Sequence, residues 1–260
     1  MMRQSDQPKI ALITGASSGI GQASAKWFAA NGWSLVLWAR RIDRLKELNS
    51  TLISEAGNRL EIWIEQVDVR VDAEVQRAYA SLPDSLKGID LLLNNAGLSQ
   101  GLTAVHESDP DDVDRVVDTN IKGLVNVSRA VVPGMKARGD GQVIHVSSTA
   151  GKEVYPGGGI YCASKFAVEA IAKTMRHELL PFGIKVGTLS PGMVESEFSL
   201  VRFKGDAERA GNTYTGLEPL HPDDVAEAIG FMATRPAHVQ IADLLIMPRA
   251  QAGSGSVHRV

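Results

Sequence analysis

Short runs of uninterrupted apolar residues, separated by stretches that read as helices, recur along this chain and leave few folds open to it. Strands are read at residues 10–14, 35–39, 60–67, 89–93, 143–146, 184–189 and 242–247, and helices at 22–30, 41–56, 72–82, 111–136, 160–180 and 223–232. Leu45, Leu48, Leu52 and Ile53 supply the helical spacing of the second helix, with Gly57 beyond its end. A strand of continuous apolar character is buried on both faces, as a parallel sheet covered by crossover helices requires. The expectation is an α/β architecture. No linker or shift in composition divides the 260 residues, so a single domain, 1–260, is expected. The stretch 192–220 is long for a connection and follows a strand's carboxyl end, where α/β ligands bind; it reads as a substrate lid containing some helix.

Composition narrows the partners. Lys and Arg number 27 against 30 Asp and Glu, a net charge of −3, which predicts no broad basic field for nucleic acid. The one cysteine, Cys162, excludes an internal disulfide and a cysteine-built metal site, and the six histidines have no ligand spacing, so no metal is expected. The opening MMRQSDQPKI lacks the apolar stretch of a signal peptide, and no run reaches the roughly 18 residues of a membrane span. A cytoplasmic protein is expected.

Between the first strand and first helix stands Thr14-Gly15-Ala16-Ser17-Ser18-Gly19-Ile20-Gly21. Glycines at such a junction permit a tight turn and let backbone approach a ligand, while the free N–H groups of the helix start attract phosphate. The spacing is neither GxGxxG nor that of a phosphate-hydrolysing loop. An NAD site carries an acidic residue near the end of the second strand to hold the ribose hydroxyls. Here the junction reads Leu37-Trp38-Ala39-Arg40-Arg41, two cations and no carboxylate. Guanidinium forks suit a 2′-phosphate, and cations at a helix start oppose its dipole, so the pair reads as a phosphate site to which Ser17 can add a hydroxyl.

Tyr161 and Lys165 stand four residues apart on one helix face. A tyrosine near its ordinary pKa of about 10 is a poor base at neutral pH, and a nearby cation lowers that value. Lys165 is expected both to tune Tyr161 and to donate to a nicotinamide ribose. Ser148, closing the fifth strand, can hydrogen-bond a substrate oxygen. Asn120 either binds a water or carbonyl that orients Lys165 or is a buried structural amide. Asn94-Asn95-Ala96-Gly97 closes the fourth strand, and Pro191-Gly192 after the sixth offers a rigid wall to a nicotinamide.

Taken in order and spacing, these elements, with Asp68, resemble the short-chain dehydrogenase/reductases over the whole chain. The resemblance implies a Rossmann fold, a doubly wound seven-stranded parallel sheet with helices on both faces. It implies that Gly15, Gly19 and Gly21 hold the pyrophosphate of NADP(H), with Ser17, Ser18 and Ile20 in the same turn and Arg40 and Arg41 at the 2′-phosphate. Asp68, Val69 and Asn94 then lie at the adenosine side, with Ala96 and Gly97 beside them, and Pro191, Gly192, Val194 and Ser196 belong to the cofactor-binding set. Tyr161 transfers the proton, Lys165 assists and grips the ribose, Ser148 binds substrate and Asn120 holds the water of a proton relay.

Tyr155-Pro156, Ile160 with the residues to Val168, Pro191 with those to Ser199, and Val201-Arg202-Phe203-Lys204-Gly205-Asp206 further resemble the NADP-dependent serine / 3-hydroxy acid dehydrogenase subgroup. That likeness implies a small, anionic substrate, a 3-hydroxy acid and its aldehyde or ketone, with Arg202 as the first choice to bind its charge. A reductase of sulfoacetaldehyde or of uncharged carbonyls is the alternative within the class, and a cofactor-binding protein without turnover the one outside it. The helices from Asp111 and from Ile160 are apolar on more than one face, so a homotetramer, at least a homodimer, is expected. The tail after Met247 has no core pattern and is expected to lie against a neighbouring subunit.

Overall fold

The computed structural model describes residues 8–56 and 60–260. Five fully buried residues form β1 (Ile10–Thr14), and the turn after it leads into α1 (Gly19–Ala30). There follow β2 (Ser34–Ala39), α2 (Ile42–Ala56), β3 (Ile62–Gln66), α3 (Asp72–Ala80) and β4 (Leu91–Asn94). The second half contains α4 (Pro110–Val117), α5 (Leu124–Arg138), β5 (Gly141–Val146), α6 (Gly159–Leu179) and β6 (Ile184–Pro191). Two short helices, α7 (Glu197–Arg202) and α8 (Ala207–Asn212), precede α9 (Pro222–Ala233) and β7 (Asp243–Ile246). The Gly57 expected to close α2 and the first seven residues lie outside the described residues.

The strands pair in the order β3-β2-β1-β4-β5-β6-β7, every pair parallel. The chain runs outward from β1 to β3, then returns to β4 on the other side of β1, so the crossover direction reverses between β1 and β4. A crevice opens at the carboxyl ends of the strands at such a switch point. The sheet divides the core as its alternating side chains dictate. Leu12, Val36, Trp38, Leu92 and Val143 face one layer with Val75 of α3, Val127 and Met135 of α5 and Leu179 of α6. Ile13, Leu35, Leu37, Leu93 and Ile144 face the other with Phe28 of α1, Leu45 of α2 and Ile229 and Met232 of α9.

One expectation is corrected here. The single long helix over 111–136 is two helices joined by a π-helical segment, Asp118–Gly123. One extra residue per turn there rotates the Asn120 side chain inward, a use typical of π-bulges near functional sites. Gly123 ends that segment against Val69, where an added Cβ would come within 2.6 Å of Val69 Cγ2. The tail after Met247, expected to lie against a neighbouring subunit, also makes hydrogen bonds within its own chain. Gln251 Oε1 accepts from the Met193 N–H at 2.8 Å, Arg259 donates to the Thr213 and Thr215 carbonyls, and the Val260 N–H donates to Gly216 O at 3.0 Å. Residues 192–220 do carry helix, in α7 and α8. Among the described residues no helix is long and apolar enough to cross a membrane.

Candidate active site

A cavity of about 440 Å³ occupies the switch point and extends under α7. Gly15, Ser17, Ser18, Gly19 and Ile20 line its β1 side, and Gly15 and Gly19 have φ of +66° and +51°, a region that glycine enters without strain. Ser18 starts α1 without a side-chain cap, and the first turn of α1 has no acidic residue. The N–H groups there remain available to an anion. Gly21 does not line the cavity. An added Cβ would meet Gly15 O at 2.3 Å, so Gly21 lets α1 pack onto the turn rather than touch a ligand.

Arg40 and Arg41 both line the cavity beside Asp68 and Val69, but only Arg41 is held in place. Its Nη2 donates to Ser18 Oγ at 2.7 Å, while Nε and Nη2 each lie 3.4 Å from Ser17 Oγ. Its Nη1 donates to Glu197 Oε2 at 2.9 Å, and Arg44 pairs with the other oxygen of the same carboxylate. The Asp68 carboxylate is taken up by Arg70, through Nε at 3.0 Å to both oxygens and through Nη2.

Asn94, expected on the adenosine side, faces away. It is buried behind β4, with Nδ2 3.1 Å from Ser128 Oγ and 3.2 Å from His145 Nδ1, and the cavity is lined instead by Asn95, Ala96, Gly97 and Leu98. Side chains alternate along a strand, so of two successive asparagines only one can turn to the cleft. Asn95 does so, donating to Thr14 O at 2.9 Å and locking β4 to the glycine turn. Asn120 does not line the cavity either. Its Oδ1 accepts from the Leu98 N–H and its Nδ2 donates to Leu98 O, both at 2.8 Å, and Nδ2 also reaches Ser164 Oγ at 2.9 Å. These bonds make Asn120 a buried amide that ties the π-segment to Leu98 and to α6.

Tyr161, Lys165 and Ser148 converge on the cavity. Ser148 ends β5 and caps a short 3-10 turn, its Oγ accepting from the Ala150 N–H at 3.1 Å. Ser148 stands close enough to the Tyr161 hydroxyl to favour its ionised form. Lys165, one turn along α6, donates from Nζ to Val146 O at 2.8 Å and lies 5.8 Å from the Tyr161 ring centre. Burial pushes the Tyr161 phenol up to about 12, against the opposing pull of Arg202 and Ser148. Burial also pushes Lys165 down to about 8, with Glu169 holding it up. The expectation that Lys165 lowers the Tyr161 pKa is therefore corrected. The ammonium turns to a carbonyl, and the cation facing the phenol is Arg202.

Arg202 closes the cavity from the end of α7. Its Cζ lies 5.3 Å from the Tyr161 ring centre and 5.1 Å from that of Phe198, and Nη2 lies 3.4 Å from the Tyr155 hydroxyl. Its Nε is buried without a partner, and among the described residues no carboxylate pairs with it. Lys204 and Arg209 are engaged elsewhere, the first with Asp112 at 2.7 Å and the second over the Phe203 ring at 4.6 Å. Pro191, Gly192, Val194 and Ser196 line the wall between β6 and α7. The sequence reading gave no role to Tyr155, Phe198, Tyr214 or Gln251, all of which line the cavity. Tyr214 ties the segment shut, donating to Val194 O and accepting from Ser199 Oγ, each at 2.7 Å. A tyrosine or glutamine far along the chain gives no periodic signal by which to find it.

A cleft at a parallel-sheet switch point, with phosphate-compatible backbone on one side and a phenol, ammonium and hydroxyl cluster on the other, defines a class, the Rossmann-type oxidoreductases. Within that class the sequence is specific: residues 9–205 match the short chain dehydrogenase family, and the chain belongs to it. It is similar to the NADP-dependent 3-hydroxy acid dehydrogenase YdfG of Salmonella typhi, 42% identical over 96% of this chain and 99% of that protein. Sulfoacetaldehyde reductase 2 of Chromohalobacter salexigens is 42% identical over 94% of this chain and 96% of its own. The closed form of a serine dehydrogenase complexed with NADP+ superposes with a TM-score of 0.89 at 41% identity, covering 96% of this chain and 100% of that one.

Proposed function

We propose that this NADP(H)-dependent oxidoreductase interconverts a small 3-hydroxy acid, of the serine or 3-hydroxypropionate type, with its aldehyde or ketone. The observation that carries the substrate class is Arg202, a guanidinium facing the Tyr161 phenol with no carboxylate of its own. Such a cation over a reacting centre is complementary to an anionic group on the substrate. The similar proteins are described as acting on 3-hydroxy acids, serine and sulfoacetaldehyde, each of which carries an acidic group.

The residues fit the cofactor. The uncapped start of α1 and the turn from Gly15 to Gly19 offer N–H groups to its pyrophosphate, and Arg41 with Ser17 and Ser18 offers donors to a 2′-phosphate. Bound there, the nicotinamide supplies the hydride or accepts it. The protein's own contribution is to hold the substrate oxygen between Ser148 and Tyr161 and to move one proton at the Tyr161 hydroxyl. In reduction Tyr161 donates that proton to the oxygen, and Ser148 stabilises the charge that develops before it arrives. Lys165 keeps positive charge beside the phenol.

Arg41→Ala is expected to weaken NADPH at least about tenfold and to leave NADH nearly unchanged, since a charge-assisted contact is worth about 1.5–3 kcal/mol. Fluorescence titration of both cofactors checks this; equal weakening would move the phosphate site to Arg40. Val113, Val117, Ile121 and Ile171 remain only half-buried on α4, the π-segment and α6, a face that suits assembly into a homotetramer or at least a homodimer. Light scattering is expected to give a multiple of 27.9 kDa. The test of the function itself is NADP(H)-coupled turnover on small 3-hydroxy acids and their aldehydes, beside sulfonated and uncharged analogues. Faster turnover of the uncharged carbonyls would replace the acid reading with a general reductase.

A further inference from the structure

Glu169 is a carboxylate buried in the middle of α6, a place where an unpaired charge is costly, and its partners come from two other segments that carry the site. It stands one turn beyond Lys165 on the same helix. Its Oε2 is 2.8 Å from Lys152 Nζ, in the turn that follows Ser148. Its Oε1 accepts from Ser190 Oγ at 3.1 Å, on the strand that ends at Pro191. The Thr188 hydroxyl lies 3.3 Å from Oε2 and 3.1 Å from Asp243 Oδ1, while Lys152 also reaches Asp243 Oδ2 at 2.6 Å. The turn after Ser148 is pressed onto α6 at this point. A Cβ on Gly151 would come within 3.0 Å of Lys165 O and 3.2 Å of Glu169 Cγ.

We infer that Glu169, clamped by Lys152, is a positioning residue for the proton-transfer group, joining the Ser148 turn, the Tyr161–Lys165 helix and β6 into one rigid unit and fixing the charge state of Lys165. This rests on the reading of Tyr161 and Lys165 given above. A neutral buried amide or alcohol could tie the same three segments, whereas a carboxylate also acts on the ammonium one turn away. The groups facing Lys165 are few: Tyr161 and Glu169 on its own helix and His145 on β5. Burial holds His145 down to about 3, so it stays neutral through the working range. Burial draws Lys165 down, and the Glu169 charge opposes it.

The test is the pH profile of kcat for NADPH-dependent carbonyl reduction. Its basic limb falls where Lys165 loses its proton, because Tyr161 titrates far above. Removing the Glu169 charge lowers the Lys165 pKa, so Glu169→Gln is expected to move the basic limb down by about one pH unit, the shift a single charge at close range produces. Removing the Lys152 charge leaves Glu169 ionised at the alkaline pH where the limb is read and takes a cation from the neighbourhood. Lys152→Met is therefore expected to move the limb up. NADPH affinity should stay within about threefold in both, against the tenfold of a direct charge-assisted contact. A purely structural knot lowers kcat and leaves the limb in place, or moves it in the same direction for both variants, and either result overturns the proposal. Lys152 is partly exposed, so its variant keeps the test open if Glu169→Gln fails to fold; a Lys152→Met limb that is unmoved or lowered then suffices to reject it. A wild-type profile without a basic limb would instead refute the role given to Lys165.

Discussion

Tyr161→Phe is expected to lower turnover by at least about a hundredfold, the lower end of what a positioned acid–base group contributes, while leaving NADPH affinity within about threefold. The substitution removes one oxygen and keeps the ring. That ring packs against Phe198 with centres 5.5 Å apart and beneath Arg202, contacts phenylalanine preserves. What disappears is the hydroxyl beside Ser148, the group placed to hand a proton to a substrate oxygen there. Because burial raises the phenol to about 12, wild-type Tyr161 is protonated throughout the neutral range. Reduction then needs no ionisation of Tyr161 and should not depend on its titration below pH 8. Oxidation needs the phenolate, whose fraction grows tenfold per pH unit below the pKa, so the oxidative rate should climb steeply with pH. Stopped-flow turnover in both directions, with cofactor titration alongside, measures all three quantities. A variant within threefold of wild type would remove Tyr161 from the chemistry.

How much of this was legible beforehand depended on whether a residue's role is local. The strands could be read because each is a short, mostly apolar run without the strict alternation of a half-exposed strand, a pattern that suits a parallel sheet. The glycine turn, the absence of a carboxylate after Ala39 and the Tyr161–Lys165 spacing are likewise local, and the structure brings those residues to one cleft. Orientation was harder. Asn94 and Asn95 are chemically identical in sequence, and only the pleat decides that Asn95 faces the turn. Asn120 lies in a π-bulge, whose extra residue is invisible to a 3.6-residue period, so its bonds to Leu98 could not be foreseen. The pKa of Tyr161 was misjudged for a related reason. Spacing places a cation near the phenol but does not report how deeply both are buried, nor that Val146 O takes the ammonium. Long-range closures such as Gln251 on Met193 join residues far apart in the chain, with no local pattern in either.

Arg202→Ala is expected to reduce kcat/KM for a small 3-hydroxy acid by about thirtyfold or more and to spare the uncharged methyl ester of the same acid. The magnitude follows from the site. Arg202 is half-buried between the Tyr161 and Phe198 rings, its Nε lacks a partner, and truncating one member of a desolvated charge pair costs about 2 kcal/mol or more. Lysine would not replace it, since it lacks the planar fork that meets a carboxylate or sulfonate through two parallel bonds, so Arg202→Lys should recover only part of the loss. The contact with the Tyr155 hydroxyl at 3.4 Å limits where the fork can point, and Arg202 O accepting from the Gly101 N–H at 2.9 Å anchors the end of α7 beneath it. That anchor is backbone and survives the substitution, so α7 should remain in place. The ester comparison separates the two roles open to the residue. A charge contact fails for the acid alone, whereas an organising role fails for acid and ester equally. The sulfonated aldehyde belongs in the same experiment: a loss matching that of the acid would mean Arg202 reads negative charge rather than carboxylate shape. If neither acid nor sulfonate loses activity, no other cation of the 192–220 segment takes over, because Lys204 is paired with Asp112 and Arg209 is stacked on Phe203. The proposed acidic substrate would then fall with it.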